Sequence, residues 1–128
     1  MRLLLDTHIW FWLFSEAGRL GKRVRDQLTN PANEIWVSPI SSWEIGMLNA
    51  RGRIRISGDL DSWVGRASQG TREAPLTHEI AQLAAQLSMH RDPADRFLVA
   101  TAKVLDLILV TADEKLLGLG EIRTLANR

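Results

Sequence analysis

Four acidic side chains stand at positions where their type and setting give them chemistry: Asp6, Glu44, Asp95 and Asp113. A carboxylate can cap a helix, hold a hard divalent cation or move a proton, and each of the four has a local capping reading. Asp6 ends the apolar run Leu3-Leu4-Leu5 and can cap the helix that follows. Ser41-Ser42-Trp43-Glu44 has the spacing of a capping box, with Glu44 at the third helical position. In Asp92-Pro93-Ala94-Asp95 an N-cap acid precedes proline at the first position, and a second acid meets the positive end of the helix dipole. Thr111-Ala112-Asp113-Glu114 repeats the capping-box pattern. Two of the acids also sit within apolar stripes. Glu44 shares a helical face with Ile40, Met47 and Leu48, and Asp95 shares one with Leu98, Val99 and Ala102. A carboxylate there is costly to bury unless something pairs with it.

The elements that must position these acids alternate. Short apolar runs at 3–5, 34–38 and 107–110 have the character of strands buried on both faces. Weaker strands are expected at 74–76 and 122–124, the former at an edge because Pro75 cannot donate to a ladder. Helices are expected over 7–14, 22–28, 40–50, 60–67, 78 to about 89 with Thr77 as cap, 93–105, and as a last turn over 114–117. Strands alternating with helices predict an α/β fold with a mainly parallel central sheet of four to five strands.

That topology makes the acids converge. In a parallel α/β sheet every strand ends at one edge, where the next helix begins and where ligands bind. Asp6 and Asp113 follow strands directly, and Glu44 lies in the helix after 34–38. The helix carrying Asp95 leads into the strand at 107–110, so its start lies at the same edge. Two carboxylates about 4 Å apart at an effective dielectric near 20 repel by on the order of 4 kcal/mol. Such a cluster either takes up protons or holds a cation. Oxygen-only donors favour Mg2+ or Mn2+ over zinc.

Composition sets the bounds. The chain has 128 residues, the size of one domain, with 45% hydrophobic and 24% charged residues, an ordinary globular balance. It has no cysteine, which excludes disulfides, cysteine-held zinc and thiol nucleophiles. The apolar stretch 3–14 contains Asp6 and His8 and is followed by no small-residue cleavage site, which argues against a secretory leader. No run is long and apolar enough to span a membrane, and a cytoplasmic location is expected. Net charge is +1, but taking four ionised acids into one pocket leaves the remainder at +5. Arginine and lysine cluster at 19–25 and 51–55. A negative pocket in a positive surface suits a polyanion such as RNA.

The four acidic blocks together resemble the PIN-domain nucleases, and most closely the VapC-type toxins of toxin–antitoxin pairs. Leu3-Leu4-Leu5-Asp6-Thr7-His8-Ile9-Trp10 is similar to that family's first strand and first acid. Val37-Ser38-Pro39-Ile40-Ser41-Ser42-Trp43-Glu44-Ile45 is similar to its second block. His90-Arg91-Asp92-Pro93-Ala94-Asp95-Arg96 is similar to its third and Val110-Thr111-Ala112-Asp113-Glu114 to its fourth. The resemblance covers 3 to about 124 and rests on four blocks in order, since an Asp-Thr after a strand is common. It implies a single domain over 1–128 with a three-layer α/β/α fold and Mg2+- or Mn2+-dependent endoribonuclease activity. It implies that Asp6, Glu44, Asp95 and Asp113 ligate the metal directly or through water, with hydrogen bonds from Thr111 and Ser38. It further implies an RNA substrate, a cognate antitoxin and a homodimer.

Other readings stay open on the residues alone. One is a metal-dependent phosphatase or phospho-acceptor domain, which also gathers acids at strand ends. A dehalogenase-like phosphatase usually needs a second aspartate two places after the first, where this chain has His8. Another is a non-catalytic RNA- or partner-binding module whose acids only cap helices. His8, His78 and His90 invite a general-base role, but His8 reads as a packing residue or acid partner, Arg96 as structural and Asp92 as a cap. The run Trp10-Phe11-Trp12-Leu13-Phe14 points around a whole helix, which favours a protein interface over a helix packed on two sides within one chain.

Overall fold

A computed structural model describes residues 1–88 and 92–128. At its centre is β1 (Arg2–Leu5), whose leucines are fully buried. Their side chains alternate across the sheet. Leu3 and Leu5 join the core of one layer, with Trp10 of α1 (Thr7–Ser15), Val24 of α2 (Lys22–Leu28), Ile45 of α3 (Pro39–Ala50) and Trp63 of α4 (Leu60–Ala67). Leu4 joins the other, with Ile80 of α5 (His78–Gln86), Leu98 of α6 (Pro93–Leu105) and Leu116 of α7 (Glu114–Leu117). Two helical layers therefore sandwich the sheet. Each buried leucine stabilises the fold by about 1.5–3 kcal/mol relative to exposure.

Five strands form the sheet, in the order β3 (Arg72–Glu73), β2 (Glu34–Val37), β1, β4 (Ile108–Thr111) and β5 (Thr124–Ala126). Every pairing is parallel, with Leu3 between Ile35 and Ile108. The expected α/β/α architecture holds, and the sheet has the larger of the expected strand numbers. The weak strands shift by two residues. β3 does form the edge, but its pairing runs through Ala74, whose N–H donates to Val37, and ends at Pro75, which has no N–H. β5 falls at 124–126 because it pairs with Leu109, Val110 and Thr111. α5 stops at Gln86, short of the expected end near 89, a position outside the described residues. The side chain of Arg96 donates to the carbonyls of Ala84 (3.1 Å) and Leu87 (2.8 Å), tying α6 to the end of α5. That gives Arg96 the structural role expected of it.

Part of the aromatic run is core. Trp10 and Phe11 pack on Trp63, with ring centroids 5.0 and 5.9 Å away, and the Trp10 indole donates to the Ala67 carbonyl at 3.0 Å. Packing within the chain, on the sheet and on α4, accounts for these two rings, which corrects the interface reading there. Trp12 is half-buried and Phe14 is exposed.

Candidate active site

The chain leaves β1 for β2 and β3 on one side, and β4 and β5 lie on the other. The sheet order reverses between β1 and β4, and in open parallel sheets the crevice beyond the strand ends at such a point receives the ligand. Asp6 is the first residue beyond β1. Its N–H still donates to Val110 of β4 at 2.9 Å, which holds the two strand ends together. Its extended backbone makes it the N-cap of α1. One carboxylate oxygen accepts from the Thr7 N–H at 2.7 Å and the other from the Thr111 hydroxyl at 2.6 Å. The Thr111 oxygen in turn accepts the Asp113 N–H at 3.0 Å. One threonine thus couples the acid after β1 to the acid after β4.

Asp113 caps α7 itself, accepting from the Lys115 N–H at 2.9 Å, while Thr111 stays in β4. The expected capping box with Thr111 as cap does not form. Glu44 is not at the third helical position either. α3 begins at Pro39, which suits a first position, with Ser38 as its cap accepting from the Ile40 N–H at 3.1 Å. Glu44 is therefore more than a turn into the helix, where its backbone already has helical partners. The Thr7 and Ser41 hydroxyls, 3.0 Å apart, join the start of α1 to α3 beside it. Asp95 lies in the first turn of α6, whose cap is Asp92, accepting from Ala94 at 3.0 Å.

Asp6, Glu44, Asp95 and Asp113 line one cavity of about 370 Å³, together with Asp92, His8, Trp12 and Ala112. Four stretches far apart in sequence thus converge. Asp92 makes a fifth acid that the sequence reading had kept only as a cap; its signal was its place three residues before Asp95, in the same turn. His8 is exposed at the rim, its ring 5.8 Å from that of Trp12, so it is not a core packing residue. The acid-partner half of its reading fits, since its charge favours the ionised forms of Asp6 and Glu44. Ser38 is buried and lines a separate cavity with Trp10 and Val37, away from the acids. His78 is exposed at the start of α5, and His90 and Arg91 lie outside the described residues.

The electrostatics of the cavity are those of crowded negative charge. Burial raises the Asp6 carboxyl above its ordinary range, against the pull of Thr111, Thr7 and His8. Burial likewise raises Glu44, opposed by a hydrogen bond from Thr7 and reinforced by Asp92 and Asp6. Asp95 is pushed up to about 8, first by burial and then by the charges of Asp6, Asp92, Asp113 and Glu44. Without a cation, the arrangement stores protons.

Among the described residues, no three of the histidine, aspartate and glutamate side chains are close enough together to grip one ion directly. A small hard cation that keeps several of its waters takes only one or two carboxylates directly and needs no such close group. The all-oxygen donor set and the excess negative charge fit Mg2+ or Mn2+.

The chain is similar to known proteins in sequence and in fold. The sequence profile of the PIN domain matches residues 3–121. The chain is 34% identical over 116 residues to Ribonuclease VapC22 of Mycobacterium tuberculosis, covering 89% of this chain and 88% of that protein. In fold it is similar to VapBC2 from Rickettsia felis bound to a promoter DNA fragment, with a TM-score of 0.75 at 14% identity over 98% of both chains. It is also similar to VapBC-1 from nontypeable Haemophilus influenzae, with a TM-score of 0.68 at 16% identity over 98% of both chains. A toxin–antitoxin complex from Klebsiella pneumoniae gives 0.66 at 21% identity, again over 98% of both. With the profile spanning nearly the whole chain and a close relative matching most of it, this chain belongs to the PIN domain family, as a VapC-type member.

Proposed function

We propose that this chain is a divalent-metal-dependent endoribonuclease that hydrolyses RNA phosphodiester bonds, the toxin of a toxin–antitoxin pair, acting in the cytoplasm as a single domain over 1–128. The observation that carries the reading is the gathering of Asp6, Glu44, Asp92, Asp95 and Asp113 around one cavity at the reversal point of the sheet. The similarity to a protein named as a ribonuclease supports it.

In this reading Asp6, Glu44, Asp95 and Asp113 would hold Mg2+ or Mn2+ directly or through water, and the bound ion would supply Lewis-acid chemistry for hydrolysis of a phosphodiester. The chain's own residues prepare that event. Thr111 and the Thr7 N–H fix both oxygens of Asp6, and Thr111 orders the Asp113 backbone. His8 stands at the rim of the same cavity.

For partners, we propose an antitoxin and a second copy of the chain. The similarity to toxin–antitoxin complexes supports the first. Phe14 and Trp43 are 44% and 52% exposed, apolar surface of the kind that anchors protein interfaces. No helix among the described residues is long and apolar enough to cross a membrane.

Asp6→Asn tests the activity, because it removes the charge while keeping the shape and an oxygen for Thr111. RNA cleavage in Mn2+ is expected to fall to the metal-free background while the circular dichroism spectrum is retained. Undiminished Mn2+-dependent cleavage by the folded variant would overturn the assignment.

A further inference from the structure

Beside the acidic cavity lies a second and basic one, of about 610 Å³. Arg19, Arg53 and Arg55 line it, and His8 and Trp12 form a wall common to both cavities. The common wall is one face of α1. His8 and Trp12 are four residues apart, about 6 Å along the axis, and Ser15 continues the same face into the basic cleft. Moving along α1 from its start therefore leads from crowded carboxylates to clustered guanidinium groups.

The three arginines differ in how they are held. Arg19 sits over the Trp12 ring, 4.9 Å from its centroid, and its Nη1 lies 3.7 Å from Glu16. That cation–π contact and loose ion pair fix it in the cleft. Arg53 and Arg55 are exposed and ion-pair with no carboxylate among the described residues. They flank Ile54, which packs on the core and holds the turn in place. Exposed cations that pair with no carboxylate among the described residues, on an anchored turn beside the acidic cavity, offer charge to a polyanion.

We propose that this cleft binds backbone phosphates of the RNA strand next to the bond being cut, with Arg53 and Arg55 as phosphate ligands and Arg19 as a fixed third cation. The inference rests on the nuclease reading and adds to it a substrate-binding surface outside the acidic cavity.

The test measures binding of a fluorescein-labelled, unstructured 20-nucleotide RNA by anisotropy, in the Asp6→Asn background and across a salt series. Arg53→Ala/Arg55→Ala is expected to lower the slope of log affinity against log salt by about 1.4, two contacts at about 0.7 each for a single strand. The same relation weakens binding roughly 25-fold at 0.1 M salt. Arg53→Lys/Arg55→Lys restores most of both, since a phosphate accepts a point charge. Unchanged slope and affinity in a folded alanine variant overturn the proposal while leaving the nuclease reading standing, provided the wild type cleaves RNA in Mn2+. A parent that binds no RNA at low salt overturns both. If the alanine variant instead loses only the affinity of the parent for a poly-glutamate peptide, the cleft belongs to an acidic protein segment and the RNA proposal fails.

Discussion

A buried carboxylate with both oxygens engaged is as rigid as the groups that engage it, and for Asp6 one of these is the Thr111 hydroxyl across the strand ends. The bond joins residues 105 positions apart, and the same oxygen satisfies the Asp113 amide. Thr111→Val keeps the shape and removes both interactions. It leaves one buried carboxylate oxygen and one part-buried amide without these partners, at a cost of about 1–3 kcal/mol. It also removes a group that favours the ionised form of Asp6, so the acid moves further up. The expected result is a free energy of unfolding in urea lowered by that amount, with Thr111→Ser close to wild type. A valine variant as stable as the wild type would show that the bond carries little.

Among the elements, α4 meets the aromatic face of α1 through Trp63. Trp63 is almost fully buried and meets Trp10, Phe11 and Phe14 of α1 within 6 Å between centroids. Trp63→Ala is expected to cost about 3–5 kcal/mol, the range for a large core aromatic. Trp43→Ala, at a half-exposed position, is expected to shift stability by less than about 0.5 kcal/mol. Urea unfolding of the two variants separates core tryptophan from surface tryptophan, and equal losses would contradict the burial pattern. The sequence could not separate them, because the partner ring of Trp10 lies more than fifty residues away and periodicity records only which residues are apolar. What it carried well was the strong elements. Leu3-Leu4-Leu5 has the character of a strand buried on both faces, and Asp92-Pro93 that of a helix start, and both form there. The weak edge strands slipped because their limits are set by pairing partners, Val37 for β3 and Leu109 to Thr111 for β5. The acids were legible as a converging set once the sheet was parallel. Glu44 fell deeper in its helix than its local pattern suggested because Ser38-Pro39 is a better start than Ser41.

For the molecule as a whole, the acidic cavity sets the response to pH and metal together. Asp6, Glu44 and Asp95 all have raised carboxyls in the fold, Asp95 to about 8, whereas unfolded carboxyls titrate near 4. Between those limits the native state binds more protons than the unfolded chain, so stability falls as pH rises. This contribution is fully present below about pH 4 and is lost as pH climbs through the folded values. Metal-free protein is therefore expected to melt at a progressively lower temperature from pH 5.5 to pH 8, and Asp95→Asn to flatten that decline. A divalent ion is expected to reverse the trend, since it must displace the same protons to bind. At a fixed Mn2+ concentration the dissociation constant falls as the acids ionise, so the expected effect on melting grows with pH and reaches about 2.7 kcal/mol where the concentration is a hundred times that constant. Calorimetry in chelator and in Mn2+ at both pH values checks this. A melting temperature that rises with pH in chelator, or an Mn2+ shift larger at pH 5.5 than at pH 8, would mean that these carboxylates neither store the protons nor take the ion.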